Sequence, residues 1–287
     1  MSSQITTAFV NQFSSNVQLL SQQRGSLLRG SVSEEAVTGE KAFFDQVGAT
    51  AAVKRTSRHQ DTQILDTPHS RRMVTMDSYE WADLIDDADK IRMLIDPTST
   101  YAQAAASAIG RSMDDAIITA ATGTAKTGSS GSTDTSMLAD NIIAHGSTDL
   151  TIAKLINAKK ILDEGSVDPS IPRYIAVAPA QVEALLGTTQ ITSSDFNTVK
   201  ALVAGEVDTF MGFKFIMSTR LAVASSIRTC FAWAEDGIKL AVGKDVMAKI
   251  DERADKSYST QVFYCATFGA TRMEEAKVVS ILCDESA

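Results

Sequence analysis

The sequence predicts an α+β fold in which one long helix separates a polar hairpin from a compact α/β module, and long antiparallel strands close the chain. Three observations carry this. Residues 96–123, DPTSTYAQAAASAIGRSMDDAIITAATG, hold apolar residues at helical spacing between a start signal and a stop signal. Residues 173–187, RYIAVAPAQVEALLG, read as a buried strand, a proline and a short helix. DVMAKIDER (245–253) and QVFYCATFGATRM (261–273) alternate apolar and polar residues over lengths that suit antiparallel strands with one wet face.

The helix is the element around which the rest is ordered. Asp96 is a good N-cap, Pro97 sits where a missing N–H is tolerated, and Gly123 is the residue type that usually ends a helix. Tyr101, Ala105, Ile109, Met113, Ala116, Ile117 and Ala120 form a narrow apolar stripe, with Arg111, Asp114 and Asp115 expected off it. At about 1.5 Å per residue such a helix runs roughly 40 Å, and its alanines let another backbone approach closely. A long strut with a thin contact surface suits an extended subunit better than a compact enzyme core.

The 287 residues, 44% hydrophobic, are enough for one large or two small domains with a real core. The net charge of -8, from 35 acidic and 27 basic residues, argues against a surface built to grip phosphates, although not against a protein that encloses nucleic acid. Cys230, Cys265 and Cys283 lie far apart in apolar or strand-like runs and read as small buried hydrophobes. No apolar run reaches the length that crosses a bilayer, and a soluble product of a reducing compartment is expected.

Residues 1–32 place Phe9, Phe13, Val17 and Leu20 at helical spacing in a Ser- and Gln-rich segment, either an amphipathic arm that docks on something or a helix packed on its own domain. From Val53, VKRTSRHQDTQIL and SRRMVTMDSY flank a proline-containing turn as two polar extended runs. Such a ribbon is marginal in isolation, so its stability must come from a surface outside it. It carries Lys54, Arg55, Arg58, Arg71 and Arg72, while the next segment carries Asp83, Asp86, Asp87 and Asp89. The segregation predicts either a basic hairpin lying on the acidic segment of a neighbouring subunit or two independently solvated surfaces.

After the helix, residues 124–136 read as a Gly-, Ser- and Thr-rich loop. In LTIAKLINAKKILDEG (150–165), Ile152, Leu155, Ile156 and Ile161 mark a helix ended by Gly165. MGFKFIMS (211–218) is strand-like and AKVVSILCD (276–284) is a closing strand. Little supports catalysis. GTAKTGSS (123–130) has the glycine spacing of a phosphate loop, but Ser129 stands where lysine is needed and a helix precedes it. His59, His69 and His145 lack metal-ligand spacing, and the adjacent pairs Asp86–Asp87 and Glu274–Glu275 point their side chains apart. No cofactor or metal is expected.

The order of arm, hairpin, long helix, α/β module and long strands resembles the major capsid proteins of tailed bacteriophages, the HK97-like fold, over most of the chain. RYIAVAP followed by AQVEALLG, and MGFKFIMSTRL with its glycine-led strand, are the most specific fragments. By this resemblance residues 1–35 form an N-terminal arm and 36–82 an extended E-loop region. Residues 83–148 and 237–287 form a P-domain with a spine helix at 97–123 and long strands, and 149–236 form an A-domain. The resemblance implies no enzymatic activity. It implies a shell protein that assembles through hexamers and pentamers into an icosahedral capsid around the genome, located in the virion after assembly in the host cytoplasm. The implied partners are further copies, a separate scaffolding protein, a portal and a cement protein, with DNA enclosed without sequence-specific binding and no membrane. No text around Lys54 identifies a Lys–Asn cross-link, so noncovalent shells are expected. An encapsulin packaging a cargo enzyme shares the fold and is the alternative; an enzyme built on residues 150–236 is the alternative from another class.

This reading predicts that deleting Thr56–Met73 leaves a soluble, folded subunit that forms no shells, checked by electron microscopy of the purified variant.

Overall fold

The computed structural model describes residues 21–85, 98–187 and 209–286. The amphipathic helix expected around Phe9, Phe13, Val17 and Leu20 lies outside these residues, as do the Asp96 cap and Pro97.

In chain order the strands are β1 (Ser33–Ala36), β2 (Lys41–Val47), β3 (His69–Thr75) and β4 (Asp77–Ile85), followed by helix α1 (Thr98–Thr122). Then come β5 (Ala125–Thr127), β6 (Thr133–Thr135), β7 (Ile142–Ile143), helix α2 (Ile152–Glu164), β8 (Arg173–Val177) and helix α3 (Pro179–Gly187). The remainder is strand: β9 (Thr209–Phe210), β10 (Phe213–Met217), β11 (Val223–Ala224), β12 (Ile227–Ala234), β13 (Ile238–Arg253), β14 (Ser259–Arg272) and β15 (Val278–Asp284). They form a seven-stranded sheet, ordered β7-β15-β12-β8-β10-β9 with β11 on β12, and two four-stranded sheets, β1-β13-β14-β4 and β2-β3-β5-β6.

The described residues divide into two compact units, one drawn from 21–26, 78–85, 98–113 and 244–267, the other from 27–77, 114–187, 209–243 and 268–286. α1, β13 and β14 each contribute residues to both.

In the first unit, Gly110 of α1 lets the chain cross the helix. A Cβ there would stand 2.4 Å from the carbonyl carbon of Gly25 and 2.6 Å from its Cα, closer than any side chain allows. Arg111 fixes the crossing by donating to the side-chain oxygen of Gln22 (2.9 Å) and the carbonyl of Gln23 (3.2 Å). The close backbone approach expected at the alanines therefore occurs at a glycine. In β4 the odd positions Tyr79, Trp81 and Asp83 are half-buried and Ile85 is buried, while the even positions are exposed, the period-two pattern of a strand with one covered face. In β14 the alternation is damped, and no residue from Ser259 to Arg272 is exposed.

The second unit holds the seven-stranded sheet. β8 pairs in parallel with β10 and antiparallel with β12, and β12 pairs antiparallel with β15. Ile175, Val177, Phe231, Trp233, Val279 and Ile281 are fully buried on these inner strands. β9 and β10 turn back through Met211 (φ 53°) and Gly212 (φ 87°), two left-handed residues as a tight hairpin requires, so the strand begins at Phe213 rather than at Met211. The closing strand, β15, lies between β12 and β7. VVSILCD exposes no residue, and a strand apolar on both faces needs an inner position.

In α2, Thr151 caps the first turn by accepting from the Lys154 N–H, and Leu155, Ala158 and Leu162 form the buried line. Ile156 faces solvent, so the apolar face is set by an alanine rather than by every isoleucine. α1 buries Ala105, Ile109, Met113 and Ile117 at the expected four-residue spacing, joined by Ile118 and Ala121. Asp114, expected off this stripe, is fully buried. Its carboxylate accepts from the backbone N–H groups of Leu27 and Leu28, each at 3.1 Å. That contact holds Leu28 in the core and brings Ser31 to where its carbonyl accepts from the indole of Trp233 at 2.9 Å. The last part of the expected arm is thus core, and β1 continues it by pairing in parallel with residues 239–242.

Asp114→Ala is expected to lower unfolding free energy by about 1–3 kcal/mol, because it leaves the buried Leu28 N–H without its acceptor. Asp114→Asn, which keeps one acceptor oxygen, should cost less; urea unfolding of both variants checks the order.

Candidate functional site: the hairpin loop and the corner that anchors it

β2 and β3 form a regular antiparallel pair from Lys41↔Thr75 to Val47↔His69. The first strand is KAFFDQV, not the expected VKRTSRHQDTQIL. The latter offers no alternating apolar face, whereas β2 buries Ala42 and Phe44 against Val74, Met76 and Ala241. Residues 48–68 are therefore a loop, closed at its base where the Gly48 N–H donates to the Pro68 carbonyl at 2.8 Å. Every residue from Gly48 to Asp66 is exposed. Ile64 is 92% exposed, an aliphatic side chain that the monomer leaves in water.

Cross-strand register separates the two arginines at the base. Arg71 faces outward, 2.5 Å from Asp45, with its guanidinium 5.5 Å from the Phe43 ring. This bond holds the Asp45 carboxyl below its ordinary range. Arg72 faces inward and is buried. Its Nε donates to the Met273 carbonyl (2.8 Å) and its Nη2 to Glu275 (2.5 Å). Both arginines thus bind carboxylates of their own chain, Asp45 and Glu275. The alternation of β3 requires the split: Arg72 is two residues from the buried Val74 and shares its face.

Met273 and Glu275 belong to the corner between β14 and β15. Gln46 of β2 donates to the same Met273 carbonyl at 2.6 Å. Arg272, fully buried, donates to the carbonyls of Ala121 (3.1 Å) and Gly123 (2.7 Å) at the carboxyl end of α1 and to Thr135 of β6 (3.2 Å). Its Nε lies 3.7 Å from Glu275. Burial pushes the Arg272 guanidinium below its ordinary range, and the Glu275 carboxylate opposes that. Asn141 donates to the Glu275 carbonyl at 2.6 Å, and Lys277 binds Asp236 at 2.7 Å. One corner thereby holds the base of the hairpin, the end of the helix and the edge of the large sheet.

Within the loop, the Gln60 side-chain oxygen accepts from the N–H and hydroxyl of Thr56 (3.0 Å each) and from the Ser57 N–H (3.3 Å), with His59 in the left-handed region (φ 62°). Arg55 donates to the Ser57 carbonyl at 2.9 Å. The turn presents Lys54, Arg55 and Arg58, all exposed. Of the expected acidic partners, Asp83 is half-buried on the covered face of β4 and accepts from the Leu84 N–H; Asp86, Asp87 and Asp89 lie outside the described residues.

The glycine-rich text GTAKTGSS forms the β5–β6 hairpin, where Gly131 packs on Met73. A cleft of about 560 Å³ beside α2 is lined by Asp163, Asp168, Arg173 and Lys214 among others. Asp163 binds Arg173 at 2.7 Å, and hydrogen bonds from Ser170 hold the Asp168 carboxyl below its ordinary range, the opposite of what a general acid needs. Cys230 and Cys283 are buried free thiols, and Cys265 is half-buried. His59 and His69 are exposed; His145 accepts from the Ser147 N–H through Nδ1 at 3.1 Å.

A family model described as phage capsid protein matches residues 5–285. No curated protein matches the sequence. Among solved structures, the capsid of Ralstonia phage GP4 is similar with a TM-score of 0.75 at 9% identity, over 96% of this chain and 95% of that one. The head structure of Helicobacter pylori bacteriophage KHP40 gives 0.73 at 10% identity over 97% and 96%. The capsid structure of cyanophage P-SCSP1u gives 0.72 at 16% identity over 96% and 93%.

Deleting Thr56–Met73 would remove the buried Arg72 and Met73 together with β3, so the shell-defective but folded variant has to be cut inside the loop, at residues 50–66. Arg72→Ala is expected to cost about 3 kcal/mol or more, since it strands Glu275 beneath the surface. Arg71→Ala should leave the unfolding midpoint unchanged, its partner being solvated. Chemical denaturation of the two single variants checks the contrast.

Proposed function

Because the chain belongs to the phage capsid protein family, we propose that it builds the phage head by assembling through hexamers and pentamers into an icosahedral shell around the genome. The observation that carries the assembly reading is the loop at 48–68, a long exposed segment with a fixed base and an aliphatic residue, Ile64, that the subunit itself does not cover. In this reading β2, β3 and the loop are the E-loop, α1 is the spine helix, and β13 and β14 are the long strands of the P-domain. The seven-stranded sheet with α2 and α3 is the A-domain, now including β15.

Ile64 is the apolar anchor that enters a neighbouring copy, and Lys54, Arg55 and Arg58 are the charges that steer it to an acidic surface there, Asp83, Asp86, Asp87 and Asp89 being the candidates. The subunit carries no catalytic role. A scaffolding protein, a portal and a cement protein are the expected further partners, and assembly takes place in the host cytoplasm. The family match favours this reading over a cargo-packaging compartment.

Negative-stain electron microscopy of the purified chain, alone and with its scaffolding protein, tests the proposal: closed shells of uniform size are expected, and a small monodisperse oligomer under both conditions would refute it. Replacing residues 50–66 by a short glycine-rich turn should leave the unfolding transition in place and abolish shells. Ile64→Asp should do the same by placing a charge in the contact. Lys54→Glu/Arg55→Glu/Arg58→Glu should weaken assembly more at low salt than at high salt, read by light scattering across a salt series.

A further inference from the structure

The hairpin rests on Ala42, Phe44, Val74, Met76 and Ala241, and β5 pairs with β3 at Arg72 and Met73. Side-chain hydrogen bonds add a directed tie to the corner. Arg72 and Gln46, one from each strand, converge on the Met273 carbonyl, and Arg72 also engages Glu275. The Glu275 side chain stands between Arg72 at 2.5 Å and Arg272 at 3.7 Å, and Arg272 is itself anchored on the end of α1. The three side chains are almost wholly buried, yet Arg72 Nη1, Arg272 Nε and Glu275 Oε1 have no hydrogen-bond partner among the described residues. Apolar side chains of similar volume fill such a place with less desolvation, so a charged cluster is a poor choice for stability alone. What it supplies is direction, and direction matters because the loop is a lever. Ten extended residues reach up to about 30 Å, so a roll of about 10° at the base displaces the tip by about 5 Å.

Resting on the assembly reading, we propose that Glu275 is a positioning residue for shell formation. By holding Arg72 against the Arg272 corner it sets the angle at which the hairpin presents its loop to a neighbouring copy. Its loss leaves a folded subunit that closes shells poorly.

Glu275→Gln keeps shape and removes charge; Arg72→Gln/Glu275→Gln removes the Arg72–Glu275 pair together, leaving Arg272 on its carbonyls, and serves if the single variant does not fold. Each is compared with the parent at a temperature where both are fully folded by circular dichroism, for amide hydrogen exchange and for shells by electron microscopy. Expected are exchange about tenfold faster or more in residues 41–47 and 69–75, unchanged exchange in 173–177 and 227–234, and closed shells reduced by about tenfold in favour of open or misshapen particles. A folded variant that closes parental numbers of shells overturns the proposal, as does exchange that does not change in the hairpin. The variant shortened at 50–66 separates the two readings. If it also closes shells, the assembly role of the loop itself fails; if it does not while Glu275→Gln closes them normally, only the role of Glu275 fails.

Discussion

A guanidinium with no exposed surface must find its oxygens inside the protein, and Arg272 finds them at the end of the long helix. The last turn of α1 carries no basic residue of its own, so the carbonyls of Ala121 and Gly123 take their cation from the last residue of β14. A positive charge at this end suits the helix dipole, and the same side chain reaches Thr135. Once Arg272 is committed there, residues 273–277 are fixed in place. Everything that bonds to them inherits the position: Arg72 and Gln46 from the hairpin, Asn141 before β7, and Asp236 ahead of β13.

The consequence for the hairpin is a division between base and loop. The base is held on three sides, by the small apolar cluster, by the corner, and by β5, which pairs with β3 at Arg72 and Met73. Beyond Gly48 and Pro68 such support ends, and the loop is organised by its own side chains, chiefly by Gln60 gathering Thr56 and Ser57. A segment this exposed adds little to the stability of its own subunit. The ordered turn at its tip restricts the presentation of Lys54, Arg55 and Arg58, which lowers the entropy lost when a partner is met.

Much of the fold was legible because period and punctuation agreed. The four-residue apolar series of α1, the helix of α2, RYIAVAP and the span of β14 stand near their expected places, while β13 starts seven residues earlier than expected and exposes most of DVMAKIDER. What escaped was written in polar residues. Asp114 looked like a solvated carboxylate because its acceptors are used by Leu27 and Leu28, 87 and 86 residues away, and no local spacing marks such a contact. Arg71 and Arg72 were grouped by charge although neighbours in a strand face opposite ways; the alternation with Val74 was in the text and assigns Arg72 inward. The first hairpin strand lies ahead of the polar run from Val53, and KAFFDQV hides its alternation behind an exposed Phe43. Ile64, one aliphatic residue in a polar run, carries no periodic signal.

These misses share a cause that also separates the two jobs of the chain. Periodicity reports burial within a subunit, and the apolar series of α1, α2 and the seven-stranded sheet serve that alone. Features that serve a neighbour need no period, since the surface that covers them has its own geometry. An isoleucine in water, three cations on a stapled turn and a buried ion pair that costs desolvation are each unfavourable or idle in an isolated subunit. They become intelligible together if the hairpin is a tool aimed at another copy: Ile64 is the contact, the basic turn is the guide, and Arg72 with Glu275 fixes the aim.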